Sequence, residues 1–316
     1  MYAIRVRAFG EPSVLEYQEV PDLYNAPGPV LVRLHAAGVN PVEAYVRAGK
    51  YARLPELPYT PGTDGAGIVE ESDVAALRGK RVYVSGSLTG TYAEQAVCNW
   101  EDVHPLPDEV SYEKGASLGI PYGTATWALN RGQTKPGETL LIHGASGGVG
   151  LAALQIARAE GLRIFGTAGT PEGLDLVLGN GADAAFNHHD PDYLSQIKAA
   201  THDNGVDIIL EMLANENLGN DLALLAARGR VVVVGSRGPV EIDARNLMQR
   251  EADIRGVTLA SATPADLVEI HRRIVVGLEE GYLDPVIGLP LPLSEAARAH
   301  EQIMTPGAHG KIVLTM

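Results

Sequence analysis

A glycine-rich turn is the feature of this sequence whose residue types and spacing point most directly to chemistry. Gly144, Gly147 and Gly150 recur at every third position, after the apolar residues 140–142 and before the apolar-periodic segment 151–158. Glycines let a backbone approach a ligand closely, and free amides at a helix start favour an anion such as a pyrophosphate. This strand–turn–helix order indicates dinucleotide binding through a variant of the G-x-G-x-x-G motif.

The residues that follow the turn alternate between strand and helix patterns of the right length to support it. Strands are predicted at 163–168, 184–186, 206–212, 230–235 and 253–259, with helices at 171–179, 192–201 and 218–227. Repeated strand–helix–strand units require parallel pairing with right-handed crossovers. The predicted fold class is therefore α/β, with a doubly wound parallel sheet in the middle of the chain.

The two ends of the chain have a different pattern. Short strands are predicted at 3–9, 14–20, 29–39, 65–70, 81–85 and 92–98, separated by Gly, Pro and Asn turns. Ser111 is a candidate cap for a helix that extends through Ala116, and further helices are predicted at 121–130, 264–280 and 294–304, before a last strand at 311–315. We therefore expect a β-rich domain of residues 1–121 and 260–316, interrupted by a dinucleotide-binding domain of residues 122–259.

Composition limits the function classes. A length of 316 residues suggests two domains at roughly 150 residues each, and the single cysteine, Cys98, rules out an intrachain disulfide and a cysteine-built zinc site. The formal net charge of −14 disfavours nucleic acid and anionic membranes as partners. The first residues lack the continuous apolar segment of a signal peptide, and no apolar run approaches a membrane span. We expect a cytoplasmic protein.

Several segments, in their order along the chain, resemble the medium-chain dehydrogenase/reductase superfamily. Among them are G-V-N-P-V-E at 38–43, L-P-Y-T-P-G at 57–62, H-G-A-S-G-G-V-G-L at 143–151, V-V-G-S-R-G at 233–238 and P-V-I-G at 285–288. Within this superfamily the chain is most similar to the zeta-crystallin type of quinone oxidoreductase. The resemblance implies a GroES-like catalytic domain, a Rossmann domain and a C-terminal return to the first domain.

The superfamily contains zinc alcohol dehydrogenases and zinc-free reductases, and the residue types predict the second kind. Catalytic zinc requires about three Cys, His or carboxylate ligands. In the zinc enzymes a cysteine stands at the position of Asn40, and a His-Glu pair at the positions of Thr63 and Asp64. His188 and His189 are adjacent, so on extended backbone they point to opposite faces and chelate poorly. No metal is expected.

Without a metal to polarise an alcohol, reduction of an electrophilic acceptor is the expected chemistry. The resemblance implies an NADPH-dependent reductase of quinones, and an alternative is a reductase of α,β-unsaturated carbonyl compounds. By the same resemblance Asn40 and Tyr45 border the acceptor cleft. We expect the Asn40 amide and the Tyr45 hydroxyl to position or stabilise the reduced acceptor. In the alternative interpretation, Asn40 shapes the turn before Pro41, and Tyr45 only packs on the nicotinamide.

The residues at the end of the second predicted strand of the dinucleotide-binding domain indicate whether NADPH or NADH is preferred. NAD-binding folds usually carry an acid about 20 residues beyond the glycine turn, where it holds the ribose 2′-hydroxyl. The sequence has Gly-Thr-Ala-Gly-Thr at 166–170 instead, which favours NADPH. Glu172 and Asp175 oppose this preference, because acids close to a phosphate dianion are unfavourable. Arg237 is a candidate source of compensating positive charge.

The resemblance also implies a set of cofactor contacts, most of them in the predicted Rossmann domain. They are Tyr45, Thr124, Ser146, Gly147, Gly148, Val149, Gly169, His188, Asn217, Val234, Gly235, Ser236, Arg237, Val257, Thr258 and Leu259. The alternative for the valine runs is sheet core, and for residues 257–259 an edge strand. In this family that strand pairs with its copy in a second subunit, which implies a homodimer or homotetramer.

Two readings from other classes remain to be weighed. Gly144, Ser146 and Gly148 also match the G-x-S-x-G nucleophile elbow of hydrolases, with Asp207 and His300 as later partners, but a β-rich domain before the elbow is foreign to that fold. Zeta-crystallin-type proteins also include lens structural proteins and binders of single-stranded RNA. The net charge and the absence of a basic, aromatic-interleaved stripe make RNA at most a side activity.

Overall fold

The computed structural model describes residues 1–24, 26 and 28–316. Its strands carry the numbers β1 to β15 in chain order. They are β1 Tyr2–Arg5, β2 Glu16–Glu19, β3 Val30–Gly38, β4 Asp64–Ser72, β5 Arg81–Val84, β6 Gln95–Cys98, β7 Val103–Pro105, β8 Thr139–Ile142, β9 Arg163–Ala168, β10 Ala184–Asn187, β11 Val206–Glu211, β12 Leu225–Val233, β13 Asp253–Gly256, β14 Ile287–Pro292 and β15 Lys311–Thr315.

The α-helices carry the numbers α1 to α10. They are α1 Pro41–Arg47, α2 Tyr112–Gly115, α3 Gly119–Gly132, α4 Gly148–Ala159, α5 Pro171–Gly179, α6 Tyr193–Ala200, α7 Ala214–Leu224, α8 Ala244–Arg250, α9 Pro264–Glu279 and α10 Ala296–Gln302. Ser111 caps α2, where its hydroxyl accepts from the Lys114 amide at 3.3 Å. None of the described helices combines the length and the apolar character that crossing a bilayer requires.

The chain divides into two compact units. Unit 1 comprises Met1–Pro121, His271–Pro306 and Gly310–Met316, and unit 2 comprises Tyr122–Ile270 and Gly307–His309. This division differs from the predicted domain boundaries at residues 260–270 and 307–309, which group with unit 2. In the second of these segments, Ala308 lies next to the glycine turn, within ordinary contact of a Cβ placed on Gly147 at 3.9 Å.

Unit 2 is built on the predicted doubly wound sheet. Its six strands pair in the order β10-β9-β8-β11-β12-β13, and every pairing is parallel. The central strands β8 and β11 are apolar and buried, as expected for a sheet covered by helices on both faces. The prediction of an α/β Rossmann-type fold is confirmed.

Three predicted elements of unit 2 have different bounds in the structure, and the first is β12, which occupies Leu225–Val233, not 230–235. Helix α7 occupies Ala214–Leu224, not 218–227, because Leu225 turns extended and begins β12. Strand β13 ends at Gly256, so residues 257–259 lie beyond it and are not an edge strand. The Val257 amide still donates to the carbonyl of Val233, the last residue of β12, at 3.0 Å, and Leu259–Ser261 then form a 3-10 turn.

Unit 1 carries the β-rich part of the molecule. One sheet has the order β14-β15-β3-β4-β5-β7, with β6 also pairing β3, and a two-stranded sheet joins β1 and β2. The C-terminal strand β15 pairs antiparallel with β3 between Val313 and Gly38. This pairing places Lys311 close to the start of α1, which determines the polar chemistry described below.

Candidate dinucleotide and acceptor sites

The predicted cofactor residues of unit 2 lie at one edge of its sheet. With the exception of Thr124, which is half-buried on α3, each predicted segment follows the C-terminal end of a different parallel strand. The segments are residues 146–149 after β8, Gly169 after β9, His188 after β10, Asn217 after β11, residues 234–237 after β12 and residues 257–259 after β13. In open α/β sheets this edge is where ligands bind, at the reversal of strand order. Here the order reverses between β8 and β11.

In the glycine turn between β8 and α4, the amides of Gly144, Ala145 and Gly147 are hydrogen-bonded, whereas those of Ser146, Gly148 and Val149 have no partner among the described residues. Gly147 is the N-cap of α4 and brings no side-chain oxygen to the first helical turn, whose amides have no partners within a helix. A Cβ on Gly150 would lie 2.7 Å from the Gly144 carbonyl oxygen, and Gly144 has a φ of 58°. The turn therefore requires glycine at these positions, and its free amides suit an anion.

Gly169 lies against the histidines that follow β10. A Cβ on Gly169 would lie 2.7 Å from His188 Nε2 and 2.8 Å from His189 Nε2. The expectation that these two rings point to opposite faces was wrong, because the histidines follow the strand in a turn and not on extended backbone. A third imidazole, absent from the predicted set, lies close to the end of β9: His309 Nε2 is 2.7 Å from Thr170 Oγ1.

The remaining predicted residues of unit 2 are held by local hydrogen bonds. Asn217 donates from Nδ2 to Glu211 Oε1 at 3.2 Å. The Arg237 amide donates to Asn215 Oδ1 at 2.8 Å, which fixes the loop after β12, and the Arg237 side chain is exposed. Glu172 and Asp175 are exposed on α5.

In unit 1, the Asn40 side chain is buried and all its hydrogen-bonding groups are occupied. It is 2% exposed. Its Nδ2 donates to Glu43 Oε1 at 3.2 Å and to Asp64 Oδ2 at 3.0 Å. Its Oδ1 accepts from the Lys311 ammonium. Because an amide nitrogen has two hydrogens, this arrangement leaves no Asn40 donor for an acceptor molecule.

Asn40, Glu43, Asp64 and Lys311 form one buried group, which we call the Lys311 cluster. Lys311 Nζ also lies 3.3 Å from Asp64 Oδ2, and both side chains are 5% exposed or less. The two oxygens of Glu43 accept from the Asn40 and Thr63 amides and from the Tyr92 hydroxyl at 2.7 Å. Burial raises the pKa of Asp64, and burial together with the Asp64 charge raises that of Glu43.

The sequence analysis missed the importance of Lys311, Tyr92 and His300 in this region. Tyr92 links the Lys311 cluster to His300, whose Nε2 lies 3.1 Å from the Tyr92 oxygen. A lysine in the last strand carries no local signal of its burial. The apolar residues that follow Lys311 in the segment K-I-V-L-T indicate only weakly that Lys311 is buried.

Tyr45 differs from Asn40 in that its hydroxyl is free. It is half-buried on α1, and its hydroxyl has no hydrogen-bond partner among the residues that the structure describes. An open cavity of about 1100 Å³ lies in unit 1 and is lined by Val42, Glu43 and Val46 of the same helix. Thr63 and Arg53 also line it. Cavities of this size suit small ligands, and this one offers both apolar walls and donors.

The donor set at positions 40, 63 and 64 does not fit a catalytic zinc ion. Asn40 Oδ1 is bonded to an ammonium, and Thr63 is a neutral hydroxyl. Asp64 Oδ1 accepts from the Ile120 amide at 2.8 Å, while Oδ2 accepts from Asn40 and Lys311. A zinc site needs free, deprotonated ligands around an open position, and here a buried cation already lies among these groups.

Comparisons with known proteins agree with this architecture. A family model described as alcohol dehydrogenase GroES-like domain matches residues 26–108, and one described as zinc-binding dehydrogenase matches residues 148–275. The chain is 49% identical to quinone oxidoreductase of Mus musculus, over 100% of this chain and 98% of that protein.

Among solved structures, the quinone oxidoreductase of Thermus thermophilus, described also in complex with NADPH, superposes with a TM-score of 0.87 at 31% identity. An NAD-dependent alcohol dehydrogenase superposes with a TM-score of 0.91 at 29% identity. In both comparisons 100% of this chain and 100% of the other chain are covered.

A GroES-like unit combined with a six-stranded Rossmann sheet is the architecture of the medium-chain dehydrogenase/reductase class of oxidoreductases. Full-length identity of nearly half to a curated member narrows the class. The chain belongs to the zeta-crystallin-type quinone oxidoreductase family, as its sequence motifs indicate.

Proposed function

We propose that this enzyme transfers reducing equivalents from NADPH to quinones and that it does so without a metal. The observation that carries the proposal is the convergence of six predicted cofactor segments at the C-terminal edge of one parallel sheet, beside a glycine turn with free amides. The NADPH complex described for the Thermus thermophilus relative supports the choice of cofactor.

The residues of unit 2 divide the work of holding the dinucleotide. The unpartnered amides of Ser146, Gly148 and Val149 at the start of α4 suit the pyrophosphate, because the helix N-terminus carries partial positive charge. The histidines beside Gly169 place hydrogen-bond donors close to the end of β9. In folds of this kind, residues at that position bind the ribose of the dinucleotide. When bound, the nicotinamide supplies a hydride, and the protein orients it and excludes water.

In unit 1 we assign different roles to the two predicted catalytic residues. Tyr45 has a free hydroxyl, which suits donation to the oxygen of an acceptor as negative charge develops on it. Asn40 has no free donor, so its role is positioning: it joins Lys311, Asp64 and Glu43 and fixes the start of α1, which carries Tyr45.

The metal-free mechanism is supported by the chemistry of the Lys311 cluster. A buried ammonium provides the positive charge that balances Asp64, and Asp64 is left with no unoccupied oxygen. The zinc-enzyme arrangement would require replacement of Asn40 and Thr63 and removal of this cation. The matching family model is described as a zinc-binding dehydrogenase, but these residues do not form a zinc site of that kind.

Initial-rate oxidation of NADPH, and separately of NADH, tests the proposal against a panel of quinones and conjugated enones with a chelator present. We expect chelator-insensitive turnover with quinones, and faster turnover with NADPH. Turnover with enones alone would replace the quinone assignment by double-bond reduction. No oxidation of either cofactor would favour a binding protein, and RNA retention on filters as salt is varied would then be measured.

Replacement of Tyr45 by Phe tests the catalytic role. We expect kcat to fall about a hundredfold, as for loss of one donor to a developing oxyanion, with the Kd for NADPH little changed. Tyr112→Phe is the matched control, since Tyr112 is also a half-buried tyrosine of unit 1 and stacks on His35. Equal effects of the two substitutions would remove Tyr45 from the mechanism.

Cytoplasmic location and assembly as a homodimer or homotetramer remain predictions. Because residues 257–259 lie beyond β13, the proposed pairing with a second copy would use Asp253–Gly256, the exposed edge strand of the sheet. Sedimentation equilibrium would give the number of subunits.

A further inference from the structure

A buried histidine and two buried carboxylates lie directly beneath the proposed dinucleotide edge of unit 2. We call His143, Glu211 and Asp221 the His143 triad. His143 follows β8 and precedes the glycine turn, Glu211 ends β11, and Asp221 lies on α7. His143 Nε2 is 2.9 Å from Asp221 Oδ1 and 3.7 Å from Glu211 Oε2. All three residues are 3% exposed or less.

The triad lacks enough positive charge in its own side chains. Glu211 Oε2 and Asp221 Oδ2 are buried and have no hydrogen-bond partner among the described residues. Two ionised carboxylates in a dry interior repel each other and cost several kcal/mol each to desolvate, and His143 supplies at most one positive charge. His143, Glu211 and Asp221 each bring one ligand-type atom within 4.8 Å of the others, so a proton held by the two carboxyl groups removes the repulsion between them.

Hydrogen bonds connect the triad to both turns that face the dinucleotide edge. On one side, Thr167 Oγ1 lies 3.3 Å from His143 Nδ1 and accepts from the Gly144 amide at 3.2 Å, which anchors the glycine turn. On the other side, Glu211 Oε1 accepts from the Leu213 amide and from Asn217 Nδ2. Asn217 is one of the predicted cofactor contacts.

We propose that His143, Glu211 and Asp221 are positioning residues for the dinucleotide, which share one proton and so hold the turns after β8 and β11 at the spacing that the cofactor requires. This inference rests on the proposed function. In the proposed function, the triad contacts neither the cofactor nor the acceptor, and it acts through Gly144 and Asn217. When the proton is lost, the ionised carboxylates of Glu211 and Asp221 repel each other, and both turns become less firmly held.

The surroundings set the pH at which this happens. Burial is the largest cause that raises the pKa of Glu211, to about 7, and the charge of Asp221 adds to it while His143 opposes it. Burial alone would lower the pKa of His143, but Asp221 and Glu211 raise it. Tyr193 and His188 are the other titratable groups whose charges interact with the triad. The shared proton is therefore present below about pH 7 and lost above it.

The consequence for binding follows from linkage. Because the bound, anionic dinucleotide favours the protonated triad, binding above pH 7 takes up a proton, and the Kd rises by up to about tenfold per pH unit. We expect wild-type Kd values for NADPH to increase between pH 6 and pH 8.5. In Glu211→Gln the amide mimics the protonated acid, so at pH 6 the variant binds about as tightly as wild type and at pH 8.5 about tenfold more tightly.

Fluorescence titration of NADPH against the full-length enzyme measures these values, and the ratio of variant to wild type at each pH cancels the titration of the cofactor's own phosphate. Asp221→Asn removes the carboxylate that pairs with His143. This variant is expected to raise the Kd and KM for NADPH about tenfold at pH 6 with kcat nearly unchanged. Glu138→Gln is the matched control, because Glu138 is a carboxylate of unit 2 that pairs with Arg230 away from the triad.

The outcomes separate the two proposals. Wild type that binds neither NADPH nor NADH contradicts the proposed function. Wild type that binds NADPH, with Glu211→Gln following the same pH profile, overturns the shared proton and leaves the proposed function intact. One equivalent of a divalent metal, retained by wild type and lost from Asp221→Asn, would also overturn it, because a cation would then occupy the place of the proton.

Discussion

The Lys311 cluster of unit 1 and the His143 triad of unit 2 both bury two carboxylates, but they balance the charge differently. Unit 1 provides a permanent cation, since Lys311 lies 3.3 Å from Asp64. Unit 2 provides only a histidine, and two carboxylate oxygens are left without partners. In the His143 triad, a histidine and a carboxyl whose pKa burial raises to about 7 respond to pH in the physiological range. The comparison assigns a fixed electrostatic role to one unit and a pH-dependent role to the other.

The histidines of the two units show the same contrast. Burial lowers the pKa of His300 in unit 1 to about 3. His104 and His271 stack at 3.7 Å between ring centroids, and burial lowers their pKa values to about 2 and about 4. His143 in unit 2 is just as buried, yet its pKa is raised, because two carboxylates face it. Burial alone therefore does not decide the charge of a histidine; its partners do.

Removal of the permanent cation is expected to have the largest effect on stability. Lys311→Met leaves Asp64 and Glu43 buried without a counter-charge, and breaking a buried pair in this way costs about 3–5 kcal/mol. The free energy of unfolding from urea titration measures the loss. Lys114→Met is the control, because Lys114 pairs with the exposed Asp284 at the surface, where such a pair contributes about 1 kcal/mol or less.

The two tryptophans allow the units to be followed separately. Trp100 lies in unit 1 and Trp127 in unit 2, and the chain has no others. A Trp127→Phe background reports on unit 1, and a Trp100→Phe background reports on unit 2. A Lys311→Met effect of equal size in both signals would mean that the units unfold together, and the contrast between them would then be tested by activity alone.

Acidification is expected to act in opposite directions on the two units. In unit 1 the three histidines have folded pKa values below the ordinary 6.5, so their stabilisation is complete above pH 6.5 and is lost as pH falls towards the folded values. At pH 5 each costs about 2 kcal/mol. In unit 2 the raised pKa values of His143 and Glu211 add stability at low pH that is lost as pH rises through them.

Urea midpoints at pH 7 and pH 5 in the two single-tryptophan backgrounds check this expectation. The Trp100 signal should shift to lower urea on acidification, and the Trp127 signal should shift less or in the other direction. His271→Gln should recover about 2 kcal/mol of the unit 1 loss at pH 5 relative to pH 7. An unchanged pH dependence in this variant would contradict the assignment of the loss to neutral buried histidines.

The smallest expected effect concerns exposed charge. Asp175 is exposed on α5, close in sequence to the end of β9, so its charge is screened by solvent. Asp175→Asn is expected to improve the preference for NADPH over NADH by about two- to fivefold, in line with a single surface charge. The ratio of kcat/KM values for the two cofactors measures it, with Asp203→Asn, a distant acid of the same unit, as control.

Much of the architecture was predictable because its signals are local. Strand β9, helix α5 and strand β15 were predicted with the bounds that the structure has, since the period of apolar residues and the flanking Gly and Pro mark them. Residues 257–259 were placed in a strand, but pairing with β12 stops after the Val257 amide donates to Val233, the last residue of β12, and Leu259 begins a 3-10 turn. A local pattern does not report the length of a neighbour.

The chemistry of the sites divides in the same way. The spacing of glycines along the chain identified the glycine turn, its strand and its helix. Backbone geometry requires glycine at Gly144 and Gly150, so the requirement is visible in the sequence as a regular spacing. Folding alone brought Lys311 to Asn40 across 271 residues and His300 to Tyr92 across 208. Only the tertiary structure shows that the Asn40 side-chain amide is fully hydrogen-bonded and that the Tyr45 hydroxyl has no partner among the described residues. A buried polar group is satisfied by whichever partner the packed core places beside it, and one-dimensional spacing carries no record of that partner.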